Sequence, residues 1–174
     1  CAVPEKQAIL LESSVDFEEG AMGEPVACCL HGIDNIQIHP GDTVCVIGGG
    51  AIGQIMCQLA RLAGASKVVL SEPVALRRDL AISLGADATI DPTSGDVGEL
   101  IKEAVGADGC DVVIECVGKP FAVTQAVTMT ARGGKVLIFS VPDPDAVLEL
   151  SLHDVFQKEL TIKGSFVNPD TQLR

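Results

Sequence analysis

The sequence predicts an α/β fold, a doubly wound six-stranded parallel sheet in the order 3-2-1-4-5-6. Short aliphatic runs alternate with segments of helical spacing, and glycine or proline marks most boundaries. The run from Val44 to Ile47 is continuously apolar, as a parallel strand covered on both faces should be. The chain has 174 residues, of which 47% are hydrophobic and only 3% aromatic. This length is sufficient to bury the core of such a sheet.

The elements follow one another in a regular order. After the first strand, the apolar spacing of Ile52, Met56 and Leu59 predicts a helix, which Gly64 caps. The other predicted strands are Lys67 to Leu70, Ala88 to Ile90, Asp111 to Glu115, Lys135 to Ser140 and Leu160 to Phe166. The other predicted helices are Ala75 to Leu84, Val97 to Ala104, Phe121 to Thr130 and Leu152 to Gln157.

The turn after the first strand carries the clearest functional signal, a GxGxxG pattern. We expect Gly48 to permit a tight turn, Gly50 to let the backbone approach a pyrophosphate, and Gly53 to let helix and strand pack closely. Ala51 and Ile52 lie in the first turn of the helix, whose unpaired N–H groups favour anions. The pattern alone is weak, but its strand, turn, helix, strand context predicts a dinucleotide site.

An acidic residue lies about twenty positions beyond the glycines, as the ribose-binding rule requires. It is Glu72, at the end of the second strand, where its carboxylate can accept hydrogen bonds from a ribose diol. A carboxylate there repels a 2′-phosphate, so the sequence favours NAD over NADP. Arg77 and Arg78 weaken this preference, since arginine can accommodate such a phosphate.

Two further strand ends face the same edge of the predicted sheet. Val117 and Gly118 follow the fourth strand, and Val141 follows the fifth. The topology favours backbone hydrogen bonds and apolar contacts from these positions to the nicotinamide half of the cofactor. An ordinary turn after each strand is an equally good interpretation of the sequence.

Composition limits the classes of partner. A formal net charge of −12 argues against nucleic acid, and no apolar window approaches the length of a membrane span. Seven cysteines contain no CxxC pair, which argues against a zinc cluster or redox dithiol, and their odd number without a secretion signal predicts a reducing compartment, hence the cytoplasm. His31, His39 and His153 have no ligand spacing, and no catalytic residue is assigned.

Taken together, the motifs resemble those of the medium-chain dehydrogenase/reductase superfamily, especially its zinc-dependent polyol, butanediol and threonine dehydrogenases. The matching segments are residues 17–21, 23–25, 48–53, 71–73, 84–87, 111–118, 132–135 and 162–165. The resemblance implies an NAD(P)-dependent alcohol dehydrogenase in which zinc acts as a Lewis acid on the alcohol oxygen. Glu24 matches the family's glutamate at the zinc site, although an acid favoured by a helix N-terminus is the simpler alternative.

The resemblance also implies a domain division and an assembly. Residues 1–14 resemble the strand that returns from a catalytic domain, and residues 15–174 the NAD-binding domain without its C-terminal return segment. The cysteine and histidine zinc ligands of the family have no counterpart, so we expect no turnover from this chain alone. The edge strand 160–166 matches the family's dimer strand and predicts a homodimer.

Three alternatives compete with this interpretation. A methyltransferase needs a glycine at position 52, where the chain has isoleucine. A zinc-free NADPH quinone reductase has the same fold but fits Glu72 poorly. A stand-alone dinucleotide-binding or redox-sensing module predicts NAD binding without zinc or a second domain, and the sequence leaves it open.

Overall fold

The computed structural model describes residues 8–167 together with Ala2, Pro4 and Glu5. Its six strands form one parallel sheet in the order β3-β2-β1-β4-β5-β6, which confirms the predicted topology. The strands are β1 (Thr43–Ile47), β2 (Lys67–Ser71), β3 (Ala88–Ile90), β4 (Cys110–Glu115), β5 (Thr130–Ile138) and β6 (Thr161–Gly164).

Helices connect these strands and precede the first one. They are α1 (Phe17–Ala21), α2 (Gly23–Ile36), α3 (Ala51–Leu62), α4 (Ala75–Ser83), α5 (Val97–Val105), α6 (Pro120–Met129) and α7 (Leu152–Lys158). None of the helices in the described part is long and apolar enough to cross a membrane.

The central strands are buried on both faces, which explains their continuous apolar runs. Val44 and Val46 of β1 pack into one core with α2 and α3, whereas Cys45 and Ile47 pack into a second core with α5 and α6. Because successive side chains of a strand point to opposite faces, each core needs an apolar residue at alternate positions. Order 3-2-1-4-5-6 puts the topological switch between β1 and β4, where a crevice opens at the carboxyl ends.

The fifth strand begins earlier than predicted. β5 starts at Thr130, which pairs with Cys110, and then shifts register so that Lys135 pairs with Val112. Gly133, with φ +75°, and Gly134, beside the carbonyl oxygen of Asp111, permit this irregularity. The glycines therefore lie within a bulged strand and not before it, and the predicted start at Lys135 is wrong. β6 is also shorter than predicted.

The predicted returning strand at residues 1–14 lies partly outside the described residues. Positions 8–12 form neither helix nor strand. The division of the chain at this point stays a prediction.

Candidate functional site

The glycine turn joins β1 to α3 at the carboxyl edge of the sheet. Gly48 has φ +99°, a conformation that favours glycine, and its N–H donates to the carbonyl oxygen of Ser71 at 2.9 Å. A Cβ at Gly53 would lie 1.8 Å from the carbonyl oxygen of Gly48, so helix and turn pack in direct backbone contact. The tight turn at Gly48 and the close packing at Gly53 are thus features of the backbone, and their function in cofactor binding stays a prediction.

The helix N-terminus behind the turn is open. Gly50 is the N-cap of α3 and makes no side-chain cap hydrogen bond. A Cβ at Gly50 would meet no atom within 4 Å, so there is room for a ligand at this point. Ala51 is exposed and Ile52 is half-buried in the first helical turn. Unpaired N–H groups, the helix dipole and free space together favour an anion here, and that a pyrophosphate binds at this point stays a prediction.

Glu72 lies directly against the glycine turn and is almost wholly buried, with 3% of its surface exposed. Its Oε2 accepts a hydrogen bond from the Gly49 N–H at 2.6 Å, and its Oε1 accepts one from the Val74 N–H at 2.9 Å. A Cβ at Gly49 would lie 2.9 Å from Glu72 Cγ. Gly49, the one glycine of the run without an assigned function in the sequence pattern, is thus needed for the close approach of the acid.

The two arginines after β2 have different environments. Arg78 donates to the carbonyl oxygens of Glu72 and Pro73 at 2.8 Å and lies 3.3 Å from Asp91, so it holds the strand ends together. Hydrogen bonds from the Thr93 hydroxyl and amide lower the pKa of Asp91, which keeps this carboxylate ionised. Arg77 is half exposed, with its Nη1 3.5 Å from Glu72 Oε2, and is the guanidinium that a ligand can reach.

A cleft of about 460 Å³ connects these groups. It is lined by Ile47, Gly48, Gly49, Gly50, Ser71, Glu72, Pro73, Arg77, Pro92, Thr93, Cys116, Val117, Phe121 and Gln125. Sequence reasoning missed Pro92 and Thr93 after β3, and Phe121 and Gln125 on α6. The i, i+4 spacing of the last two was the available signal, because it puts both side chains on one face of the helix.

The strand ends of β4 and β5 are joined by Glu115. Its Oε1 accepts hydrogen bonds from the N–H groups of Val117 at 2.5 Å and Gly118 at 2.7 Å. Burial raises the pKa of this carboxyl, and the two N–H donors oppose the rise. Val117 shares the cleft with Glu72, whereas Gly118 borders a separate cavity.

Val141 lies three residues beyond the end of β5, which stops at Ile138 and not at the predicted Ser140, and is 83% exposed. A Cβ at Gly118 would lie 3.0 Å from the carbonyl oxygen of Val141, so the two turns touch. That these positions hold the nicotinamide half stays a prediction.

The metal position predicted from the resemblance does not belong to a three-ligand cluster in the described part. Glu24 lies in the first turn of α2, exposed, and its Oε1 accepts a hydrogen bond from Cys28 Sγ at 3.0 Å. His31 lies on the same helix, with its Nε2 3.0 Å from Asn35 Nδ2. Among the described residues, no three His, Cys, Asp or Glu side chains are grouped so that they could hold a metal ion. These residues therefore do not fit a complete zinc site.

A buried acid beside a glycine turn, at the switch point of a 3-2-1-4-5-6 sheet, defines a dinucleotide-binding domain. The zinc-binding dehydrogenase family profile matches residues 51–173. The chain belongs to this family of zinc-binding dehydrogenases and forms its NAD(P)-binding domain.

Individual relatives agree with this assignment. A zinc-binding dehydrogenase from Sinorhizobium meliloti, solved bound to NADP, is 45% identical with a TM-score of 0.93, over 99% of this chain and 51% of that one. The 2R,3R-butanediol dehydrogenase of Bacillus subtilis is 32% identical with a TM-score of 0.81, over 93% and 46%. The L-threonine 3-dehydrogenase of Caldanaerobacter subterraneus is 33% identical over 93% of this chain and 46% of its own length. The chain thus spans about half the length of these relatives.

Proposed function

We propose that this chain is the cofactor domain of an NAD-dependent alcohol or polyol dehydrogenase, which transfers hydride between a secondary alcohol and NAD. The observation that carries the proposal is the buried carboxylate of Glu72 in the same cleft as the glycine turn. In this arrangement the pyrophosphate binds at the N-terminus of α3 and the adenosine ribose hydrogen-bonds to Glu72. The alcohol substrate and the zinc chemistry require groups beyond the described residues.

The preference for NAD follows from the charges around Glu72. Two backbone N–H groups hold this carboxylate in place, so it remains where a 2′-phosphate would have to bind. Arg78 is engaged with two carbonyl oxygens and Asp91, which leaves Arg77 to compensate such a phosphate. Because a single half-exposed guanidinium must also offset Glu72, NAD is the better fit. The NADP in the Sinorhizobium meliloti relative supports the opposite choice, so the two cofactors must be compared directly.

The adenosine half fits the outer part of the cleft. Phe121 lines the cleft with 59% of its surface exposed, and Gln125 lies one helical turn further along α6. An exposed aromatic ring in a nucleotide cleft offers a face for the adenine, and an amide can hydrogen-bond to its edge. The sequence pattern did not assign these two residues.

The assembly proposal is a homodimer through β6, whose partner in the described sheet is β5 alone. An edge strand has unpaired N–H and C=O groups along one side, which a second copy can satisfy. Sedimentation velocity over a range of concentrations tests the proposal. A monomer at every concentration would overturn it for this chain.

Calorimetric titration with NADH and NADPH tests the cofactor assignment, using the wild-type chain, Glu72→Ala and Glu72→Gln. Gln keeps one acceptor oxygen for the Gly49 N–H but has no charge, so it separates the repulsion of a phosphate from the support of the turn. We expect the wild type to favour NADH and Glu72→Gln to lose most of this preference. Absence of binding by either cofactor would overturn the assignment, and a wild-type preference for NADPH would replace NAD by NADP.

A further inference from the structure

Glu115 is a fully buried acid that no assigned function uses. It is the last residue of β4, none of its surface is exposed, and it pairs with Ile138 of β5. Its Oε2 is buried and has no hydrogen-bond partner in the described structure. A buried polar atom without a partner destabilises the fold, so the presence of this side chain requires an explanation.

The other carboxylate oxygen, Oε1, makes the hydrogen bonds that explain this side chain. Oε1 accepts the N–H groups of both Val117 and Gly118, so a single atom fixes the turn after β4. The backbone carbonyl oxygen of Glu115 accepts from the N–H groups of Phe139 and Ser140, the first residues after β5. One residue therefore ties together the two turns that follow the strands beside the switch point.

The fixed turn forms one wall of the cofactor cleft. A Cβ at Gly48 would lie 2.9 Å from Val117 Cγ2 and 3.1 Å from the carbonyl oxygen of Cys116. Val117 thus touches the first glycine of the dinucleotide turn and shares the cleft with Glu72. Any displacement of Val117 changes the width of the cleft where the cofactor must fit.

We propose that Glu115 is a positioning residue for the dinucleotide cleft, which holds Val117 against the glycine turn through Oε1. The inference rests on the proposed function, because it concerns the affinity for a dinucleotide. Since only Oε1 is engaged, a side chain with one acceptor oxygen in that place should suffice. The carboxylate charge is therefore dispensable, and the acceptor and its reach are not.

Four variants of the chain test this inference with ADP-ribose and NADH as probes. Glu115→Met fills the space without an acceptor, Glu115→Asp keeps the acid but shortens its reach, and Glu115→Gln keeps the acceptor. Thr130→Val is the matched control. Its hydroxyl makes a buried hydrogen bond to the carbonyl oxygen of Ala126 at 2.6 Å. Thr130 pairs with Cys110 at the start of β4, so it lies at the opposite end of the sheet from the cleft.

Dissociation constants are measured well below the melting temperature of every variant, so that the folded fraction is the same. We expect Glu115→Met to bind both probes about tenfold more weakly, Glu115→Gln to bind within about twofold of the wild type, and Thr130→Val to melt earlier with unchanged affinity. If Glu115→Met does not fold, Glu115→Asp takes its place, with an expected loss of about threefold or more.

The outcomes separate this inference from the function on which it rests. Wild-type affinity in Glu115→Met, or in Glu115→Asp where the Met variant does not fold, overturns the positioning role alone. An affinity loss in Thr130→Val as large as that in the Glu115 variants shows a general effect of stability and also overturns it. Failure of the wild type and Thr130→Val to bind either probe overturns the proposed function.

Discussion

Glu72 Oε2 lies 2.6 Å from the amide nitrogen of Gly49, so the acid that follows β2 holds the glycine turn that follows β1. A carboxylate has about four acceptor positions, and two are used by the N–H groups of Gly49 and Val74. Arg77 Nη1 lies 3.5 Å from Oε2, and the acceptor positions that remain are the ones proposed for the ribose diol. Glu72 therefore has a structural function and a proposed binding function in one side chain.

This double function predicts that Glu72→Ala affects stability as well as binding. Removal of the carboxylate leaves the buried Gly49 N–H without its acceptor, so we expect the free energy of unfolding to fall by about 1–3 kcal/mol. Urea denaturation checks the loss. Glu72→Gln, which keeps an acceptor oxygen, should lose less. Equal stability of the wild type and Glu72→Ala would contradict the hydrogen bond as a stabilising contact.

Substitution by alanine should affect stability very differently at two glycines of the turn. Gly53→Ala puts a Cβ 1.8 Å from a backbone oxygen, so we expect a loss of more than about 3 kcal/mol in the free energy of unfolding. Gly50 has φ −67° and open space around it, so Gly50→Ala should change stability by less than about 1 kcal/mol.

Gly50→Ala should weaken cofactor binding although it leaves stability nearly unchanged. The Cβ of Gly50→Ala occupies the space proposed for the pyrophosphate, so this folded variant should bind NADH at least about tenfold more weakly than the wild type. Thermal melting and calorimetry on each variant make the comparison. Full NADH affinity in Gly50→Ala would show that the phosphates bind elsewhere.

Arg77 should matter for NADPH and much less for NADH. Its guanidinium is the reachable positive charge next to Glu72, so Arg77→Ala should weaken NADPH binding about tenfold and NADH binding about twofold. Titrations at two salt concentrations check the electrostatic origin, because a partly exposed charge pair is screened by salt. An equal loss for both cofactors would assign Arg77 to the part that they share.

Phe121 should contribute to affinity without contributing to stability. Its ring is 59% exposed in the cleft, so Phe121→Ala should leave the melting temperature nearly unchanged. The variant should bind ADP-ribose about threefold to tenfold more weakly than the wild type. Phe156→Ala is the matched control, since Phe156 is 81% exposed on α7 and lies outside the cleft. Equal affinities of the two variants would remove Phe121 from the adenosine site.

The topology could be predicted from sequence because each central strand is a run of residues buried on both faces. The proximity of Glu72 to the glycine turn could also be predicted, since the turn after β1 and the acid after β2 are a fixed distance apart in sequence and end at the same edge of the sheet. The predicted start of β5 was wrong because Thr130 joins the sheet through a register shift that depends on β4. Phe121 and Gln125 were missed because only the packing of α6 beside the switch point turns them into the cleft. Glu115 was missed because the sequence does not show which N–H groups donate hydrogen bonds to an acid at the end of a strand.

The pH dependence of stability provides an independent test of the environment of Glu115. Burial raises the pKa of its carboxyl in the folded state, so between the unfolded value of about 4.5 and the folded value the native state binds the proton more tightly. The stabilisation from this group is therefore fully present below about pH 4.5 and is lost as the pH rises through the folded pKa. Glu115→Gln cannot titrate, and all other groups are common to both proteins. The free energy of unfolding of the wild type minus that of Glu115→Gln should fall from about pH 4 upward and then level off, as urea denaturation at successive pH values can measure. A difference that rises with pH would mean that the two N–H donors outweigh burial and that the folded pKa is depressed.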